Sequence, residues 1–285
     1  MSYDEVTTQD LDVDRFQSMS TRFSLPIIDQ AWFSQAQELG TPCQVPGITA
    51  HQVHEYQGLR WLRHEDGSIQ SIIWLERPDY PVFEYVRGML CGLLFHPAPQ
   101  RLLNLGLGAG TLERFLLRNL TDITLTSVEP DRDIQRMARD CFDLPGGHSV
   151  VTQSAQDYLN GCQATYDTIF CDIHPGPGEN NPLDEDRFMA NLARVLAPDG
   201  VVAINLLPED EREIVRLLMQ IRRHLPHIAL FDVPQQQNLV LFGGTSVLSE
   251  PELLLSRARA HSQYAALEAQ RLINGFIRLP SAHSP

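Results

Sequence analysis

The stretch Arg101-Leu102-Leu103-Asn104-Leu105-Gly106-Leu107-Gly108-Ala109-Gly110-Thr111-Leu112 decides the fold. Its first half is a short, mostly apolar run of strand length. Three glycines at alternate positions follow, and a helical pattern over 112–120 comes next. Glycine lets a backbone turn sharply and approach a ligand closely, and a helix N-terminus offers unpaired N–H groups. A strand, a glycine turn and a helix therefore make either a nucleotide-type site or a tight β-α turn with no ligand.

Downstream, the same alternation repeats. Strand-like segments fall at 123–128, 149–153, 168–171 and 201–206, and helix-like segments at 131–142, 184–196 and 209–225. This rhythm predicts a parallel sheet with helices on both faces. Two further apolar segments, 228–233 and 238–242, are too close together for a helical crossover, so they must pair antiparallel. A mostly parallel sheet ending in an antiparallel hairpin is the layout of the class I methyltransferase-like, Rossmann-like α/β fold. Residues 251–277 read as one long helix.

Upstream, Glu65-Asp66-Gly67 lies between two apolar segments and signals a β-hairpin. Phe83, Val86, Leu90, Leu93 and Leu94 then recur at helical spacing. The expected organisation is an N-terminal arm or short helical extension over 1–50, with Pro26, Pro42 and Pro46 breaking any long element. A hairpin and linking helix follow over 51–98, then the nucleoside-binding domain over 99–245 and a C-terminal helix and tail over 246–285.

Composition excludes several chemistries. The chain has 285 residues with 22 basic against 36 acidic, a net charge of −14, and every basic residue is arginine. Without lysine there is no internal Schiff base and no P-loop NTPase. The acid excess argues against a nucleic-acid partner. It suits a cation-binding protein or plain surface solubility. No apolar run reaches membrane-span length, and the five scattered cysteines form no C-x-x-C pair, as expected for a cytoplasmic chain with reduced thiols.

The chemistry-bearing positions lie where parallel strands end. Glu129 closes the second strand about 20 residues past the glycines, placed for ribose hydroxyls or, alternatively, for helix entry. Asp172 closes the fourth strand and leads into Ile173-His174-Pro175-Gly176-Pro177-Gly178-Glu179. Ligands bind at the carboxyl ends of parallel strands, so Asp172 is placed to meet a substrate.

Taken together, the chain resembles the spermidine synthase family (polyamine aminopropyltransferases) within the S-adenosylmethionine-dependent methyltransferase-like group. The resemblance covers about residues 58–245. It rests on Asp66-Gly67-Ser68-Ile69-Gln70, Tyr85, the glycine loop, Val128-Glu129-Pro130-Asp131, Tyr166-Asp167 with Asp172, Leu183, Leu196 and Asp199-Gly200-Val201. It implies an adenosyl sulfonium co-substrate, S-adenosylmethionine or its decarboxylated form, and no metal. Gly106, Gly108, Gly110, Glu129, Ser154 and Ala155 would hold it. Gln70 and Tyr85 would line the acceptor side, unless Tyr85 packs in the core or at an interface, with Asp172 as the catalytic group; His174 and Glu179 lie in the loop on that same side.

The departures bear on mechanism. Amine attack on the carbon beside a sulfonium needs carboxylates to hold the cation and a base to free a lone pair. Two family carboxylates fall here on Ala109 and Pro175, and the adenine-contacting Asp falls on Ser154. Asp157, one helical turn on, either compensates or is a first-turn helix residue. His174 and Glu179 are either bases or solvated loop residues. Methyl or other alkyl transfer to a small-molecule acceptor is therefore the first expectation. Aminopropyl transfer, a non-catalytic nucleoside-binding protein and, last, an NAD enzyme remain as alternatives. A homodimer is expected, with the hairpin and C-terminal segment as contact surfaces.

Overall fold

The computed structural model describes residues 30–43, 45–48, 51–63, 69–174, 180–234 and 236–280. The described residues form two sheets. The smaller is antiparallel in the order β1 (Thr41–Cys43), β2 (Gln52–Tyr56), β3 (Leu59–Arg63), β4 (Ile69–Trp74). Helix α1 (Gln30–Leu39) precedes it. Part of the arm expected over 1–50 is thus a helix and an edge strand, and the single expected hairpin is one of several strand pairings. The β2–β3 turn is the two-residue pair Gln57-Gly58, both with positive φ (49° and 75°). That backbone twist matches the strands it joins. The Asp66-Gly67 turn lies outside the described residues, but the strands on either side of it, β3 and β4, pair antiparallel as expected.

The larger sheet has eight strands, ordered β12-β10-β11-β9-β8-β5-β6-β7. Strands β5 (Arg101–Leu105), β6 (Thr124–Val128), β7 (Ser149–Val151), β8 (Tyr166–Cys171) and β9 (Leu196–Leu206) are parallel. Strands β10 (His227–Asp232) and β11 (Leu239–Gly244) form the antiparallel hairpin, with β11 against β9. This is the class I methyltransferase layout. The linking helix α2 (Glu84–Leu90) continues as a 3-10 turn over Cys91–Phe95 and packs on one face of the sheet with α3 (Thr111–Asn119). Helices α5 (Ala155–Gly161), α6 (Asp186–Arg194) and α7 (Glu211–Arg222) follow strands β7, β8 and β9, and their apolar residues line the other face. Helix α4 (Arg132–Cys141) starts at Asp131, whose carboxylate accepts the N–H groups of Asp133 and Ile134.

The long C-terminal helix expected over 251–277 is not formed. The chain first forms helix α8 (Pro251–Ala260). It then bends through an extended His261, a 3-10 turn over Ser262–Leu267, Glu268 at φ 52° and a short α9 (Ala269–Ile273). It ends as strand β12 (Phe276–Arg278), paired with β10. A straight helix of that length would run about 40 Å and bury one stripe. Bending instead brings Leu254, Tyr264, Leu267, Leu272 and Ile273 into one core and covers the β10 edge.

The two sheets meet at a buried joint. Val53, Leu62 and Ile73 of the small sheet pack with Ala109, Ile134, Met137 and Phe142 of the larger unit. No described helix is long and apolar enough to cross a membrane.

Candidate active site

In the larger sheet the chain leaves β5 for β6 on one side and β8 lies on the other, which opens a crevice at their carboxyl ends. The glycine loop forms one wall. Gly106 has φ 94°, and a Cβ there would sit 2.3 Å from the Asp172 carbonyl oxygen; Gly108 has φ 52°, with Ser71 Oγ 2.6 Å from its Cβ position. Both glycines are therefore demanded by the chain itself, before any ligand. Ser71 Oγ accepts the Ala109 N–H at 3.1 Å, so β4 of the small sheet holds the loop directly.

Glu129, at the end of β6, is buried. Its carboxylate accepts the Leu107 N–H (3.1 Å) and the Asp131 N–H (3.0 Å). Burial pushes its pKa up, and those N–H bonds pull it back only in part. A Gly108 N–H also acts on this carboxylate, which has about four lone-pair sites in all and so keeps acceptor capacity of the kind a ribose diol would use. Ser154 caps α5: its hydroxyl accepts the Asp157 N–H at 3.1 Å and donates to the Asp157 carboxylate at 2.8 Å. Asp157 is an exposed first-turn residue. The Gly106 loop, Glu129 and Ser154–Ala155 thus stand in order along the ends of β5, β6 and β7.

Ala109 does not open onto this crevice. Its side chain is fully buried in the apolar joint.

The opposite wall centres on Asp172, just past β8. Asn205 Nδ2 donates to Oδ1 at 2.8 Å, His174 Nε2 lies 3.2 Å from the same oxygen, and Tyr85 OH donates to Oδ2 at 3.4 Å. Burial alone would raise the Asp172 pKa. The His174 hydrogen bond and charge, with Asn205 and Tyr85, outweigh it and hold Asp172 below its ordinary 3.8. For His174, burial lowers the pKa, but Asp172 wins and sets it above 6.5. Tyr85 is pushed well above 10 by burial and by the Asp172 charge, so it stays a neutral donor.

Asp172, Tyr85 and His174 therefore come together, as their positions in the sequence suggested. Gln70 sits on β4 beside Ser71, at the point where the β3–β4 register slips: Leu62 pairs with Ser71 but Arg63 pairs with Ile69. Gln70 is thus the extra residue of a bulge, a device that re-aims a side chain. Glu179 and Pro175 lie outside the described residues. Asn205, Ser71 and Arg114 escaped the sequence reading. Asn205 carried a legible signal, as the one polar residue in the buried run Val201-Val202-Ala203-Ile204-Asn205-Leu206. Arg114, fully buried, donates to the carbonyls of Pro78, Ala109 and Phe142 and to Thr111 Oγ1, tying the loop to its surroundings. Burial pushes its pKa down to about 10. Among the described residues, no group of three His, Cys, Asp or Glu could hold a metal.

No family model matches the chain. It is 29% identical over 164 residues to a polyamine aminopropyltransferase of Chromobacterium violaceum, covering 56% of this chain and 63% of that relative. The match thus spans less than two-thirds of the relative's length. In structure the chain is similar to a probable spermidine synthase from Corynebacterium glutamicum (TM-score 0.64, 19% identity, 79% of this chain and 88% of the other). It is also similar to human methyltransferase-like protein 13 in complex with SAH (TM-score 0.57, 24% identity, 71% and 96%). These likenesses agree with the resemblance read from the motifs and with the class I methyltransferase fold.

Proposed function

For a spermidine-synthase-like chain of class I methyltransferase fold, we propose an alkyl transferase that binds an adenosyl sulfonium donor and hands its alkyl group to a small nucleophile. The observation that carries this reading is the pairing of two walls. The glycine loop with Glu129 faces a carboxylate, Asp172, held by three donors across the switch point of the sheet. The donor's ribose would meet Glu129, and its adenine would lie toward Ser154 and Ala155. The acceptor would sit at Asp172, Tyr85 and His174, with Gln70 at the bulge beside it.

Transfer is a direct displacement. The acceptor lone pair forms the new bond to carbon, the sulfur–carbon bond breaks with its electron pair going to sulfur, and a neutral thioether leaves. The acceptor loses one proton. Asp172 is a poor base, because three donors already stabilise its charge. The imidazole of His174 suits the task better. A lone pair on Nε2 facing a carboxylate would be repelled, so Nε2 carries the proton and Nδ1 is free to take another. Holding both reactants in line supplies much of the acceleration.

Methyl transfer from S-adenosylmethionine is favoured over aminopropyl transfer. Position 109 is an alanine sealed into an apolar joint, so the loop presents no carboxylate there to attract the decarboxylated donor or repel the ordinary one. The similarity to polyamine aminopropyltransferases favours the second reading, aminopropyl transfer to a diamine.

Thermal denaturation with S-adenosylmethionine, its decarboxylated form, methylthioadenosine and NAD separates these readings. S-Adenosylmethionine at 100 times its Kd should add about 2.7 kcal/mol of stability. A larger shift with the decarboxylated form would favour aminopropyl transfer. No shift with any adenosyl compound would overturn the transferase assignment.

A further inference from the structure

Behind the acceptor wall lies a buried amide whose role in the proposed chemistry goes no further than donating to Asp172. Asn205 is 2% exposed near the end of β9. Its Nδ2 donates to Asp172 Oδ1 at 2.8 Å and lies 3.3 Å from His174 Nε2. On its other side, Asn205 Oδ1 accepts from Asn238 Nδ2 at 2.9 Å. Asn238 immediately precedes β11, so the terminal hairpin reaches the carboxylate through two amides.

The orientation of this chain is forced by chemistry. An ionised carboxylate only accepts hydrogen bonds, so Asn205 must turn its NH2 toward Asp172. Its carbonyl then faces away and needs a donor, and Asn238 supplies one. Without Asn238, the buried Asn205 carbonyl would be unpaired, and the amide would be free to rotate at the cost of its Asp172 bond.

We propose that Asn205, oriented by Asn238, is a positioning residue that tempers the basicity of His174. Asp172 Oδ1 is shared between the Asn205 amide and the imidazole. The hydrogen bond that Asn205 gives the carboxylate spreads its negative charge and weakens its stabilisation of the imidazolium. His174 then stays able to release its Nδ1 proton near neutrality, Nε2 keeping the proton that faces Asp172. Among the described residues, the titratable groups around the pair are Tyr85 and Cys171. Both are held neutral by burial and by the Asp172 charge, so Asp172 is the charge His174 feels.

The use of this device in catalysis rests on the transferase reading, but its geometry does not, and the test keeps the two apart. The imidazole of His174 is titrated by NMR in the wild-type protein, in Asn205→Leu and in Asn238→Ala. The expected result is an upward shift of the His174 midpoint in Asn205→Leu and a smaller upward shift in Asn238→Ala. An unchanged or lowered midpoint in folded variants would overturn the proposal. Asn238→Ala is only partly buried and decides the matter if Asn205→Leu fails to fold. Where transfer is measurable, Asn205→Leu should lose about tenfold in kcat at pH 7 and recover toward pH 9, with the donor KM unchanged. A merely structural role would lower Tm and leave the pH profile in place. Failure of every adenosyl compound to bind would remove the catalytic use while leaving the imidazole titration to judge the relay.

Discussion

At the scale of single residues, Asp172 and His174 form a pair whose worth depends on pH in a definite direction. His174 has a raised pKa, so its contribution to stability is full below 6.5 and is lost as pH rises through the raised value. Asp172 has a depressed pKa, so its contribution is present above 3.8 and is lost as pH falls through the depressed value. The pair is therefore worth most between roughly pH 4 and 6.5. The His174 side chain is 42% exposed, and solvent screening limits the stabilisation to about 1 kcal/mol or less. Urea denaturation of wild type and His174→Gln across pH 4–9 should give a stability gap that narrows above neutrality. A gap that is flat, or that widens toward alkaline pH, would sink the ion pair. Asp172 itself was legible from its place at a strand end. Its neighbours were not, because Asn205 and Tyr85 reach it from 33 and 87 residues away. The meaning of Ala109 also needed the structure. The sequence marks a missing carboxylate, but only the packing reveals that the side chain points into the joint.

At the scale of elements, the β-α alternation is legible because buried parallel strands and amphipathic helices carry strong periodicity. The path of the C-terminal segment is not legible, for the opposite reason. Its leucines and alanines fit a helix locally, while its bends at His261, Glu268 and Gly275 answer to the shape of the core they cover. Helix α3 shows how the element that follows the glycine loop also braces it. Arg114, one turn beyond the glycine loop, satisfies the carbonyls of Pro78, Ala109 and Phe142. Arg114→Leu would remove the cation and leave these acceptors without it inside the protein. The expected loss is about 3–5 kcal/mol in urea denaturation, with donor affinity falling as the loop loosens. Arg114→Lys should recover only part of this, since one ammonium cannot reach acceptors spread around a planar fork. A loss under about 1 kcal/mol for Arg114→Leu would show that the loop is held by other means.

At the scale of the whole molecule, the net charge of −14 suits a cation-binding protein and plain surface solubility alike, while at the candidate site the Asp172 carboxylate is engaged by three donors of the protein's own. What integrates the molecule is the joint between the sheets: the Ala109 cluster, the Ser71–Ala109 bond and the Arg114–Pro78 bond. The three tryptophans, Trp32, Trp61 and Trp74, all lie in the smaller unit and share one buried cluster. Tryptophan fluorescence therefore follows the small sheet, while far-UV circular dichroism is dominated by the helices of the larger unit. If the joint couples them, the two signals should trace one transition in urea with the same midpoint and slope. A bound adenosyl donor touching the glycine loop should then move both midpoints together, although no tryptophan lies in the proposed donor site. Arg114→Leu attacks the joint and should separate the curves, the fluorescence transition coming first because the small sheet has the lesser core of its own. Two separate transitions in the wild-type protein would mean that the small sheet folds independently and that Ser71 is a contact rather than a support.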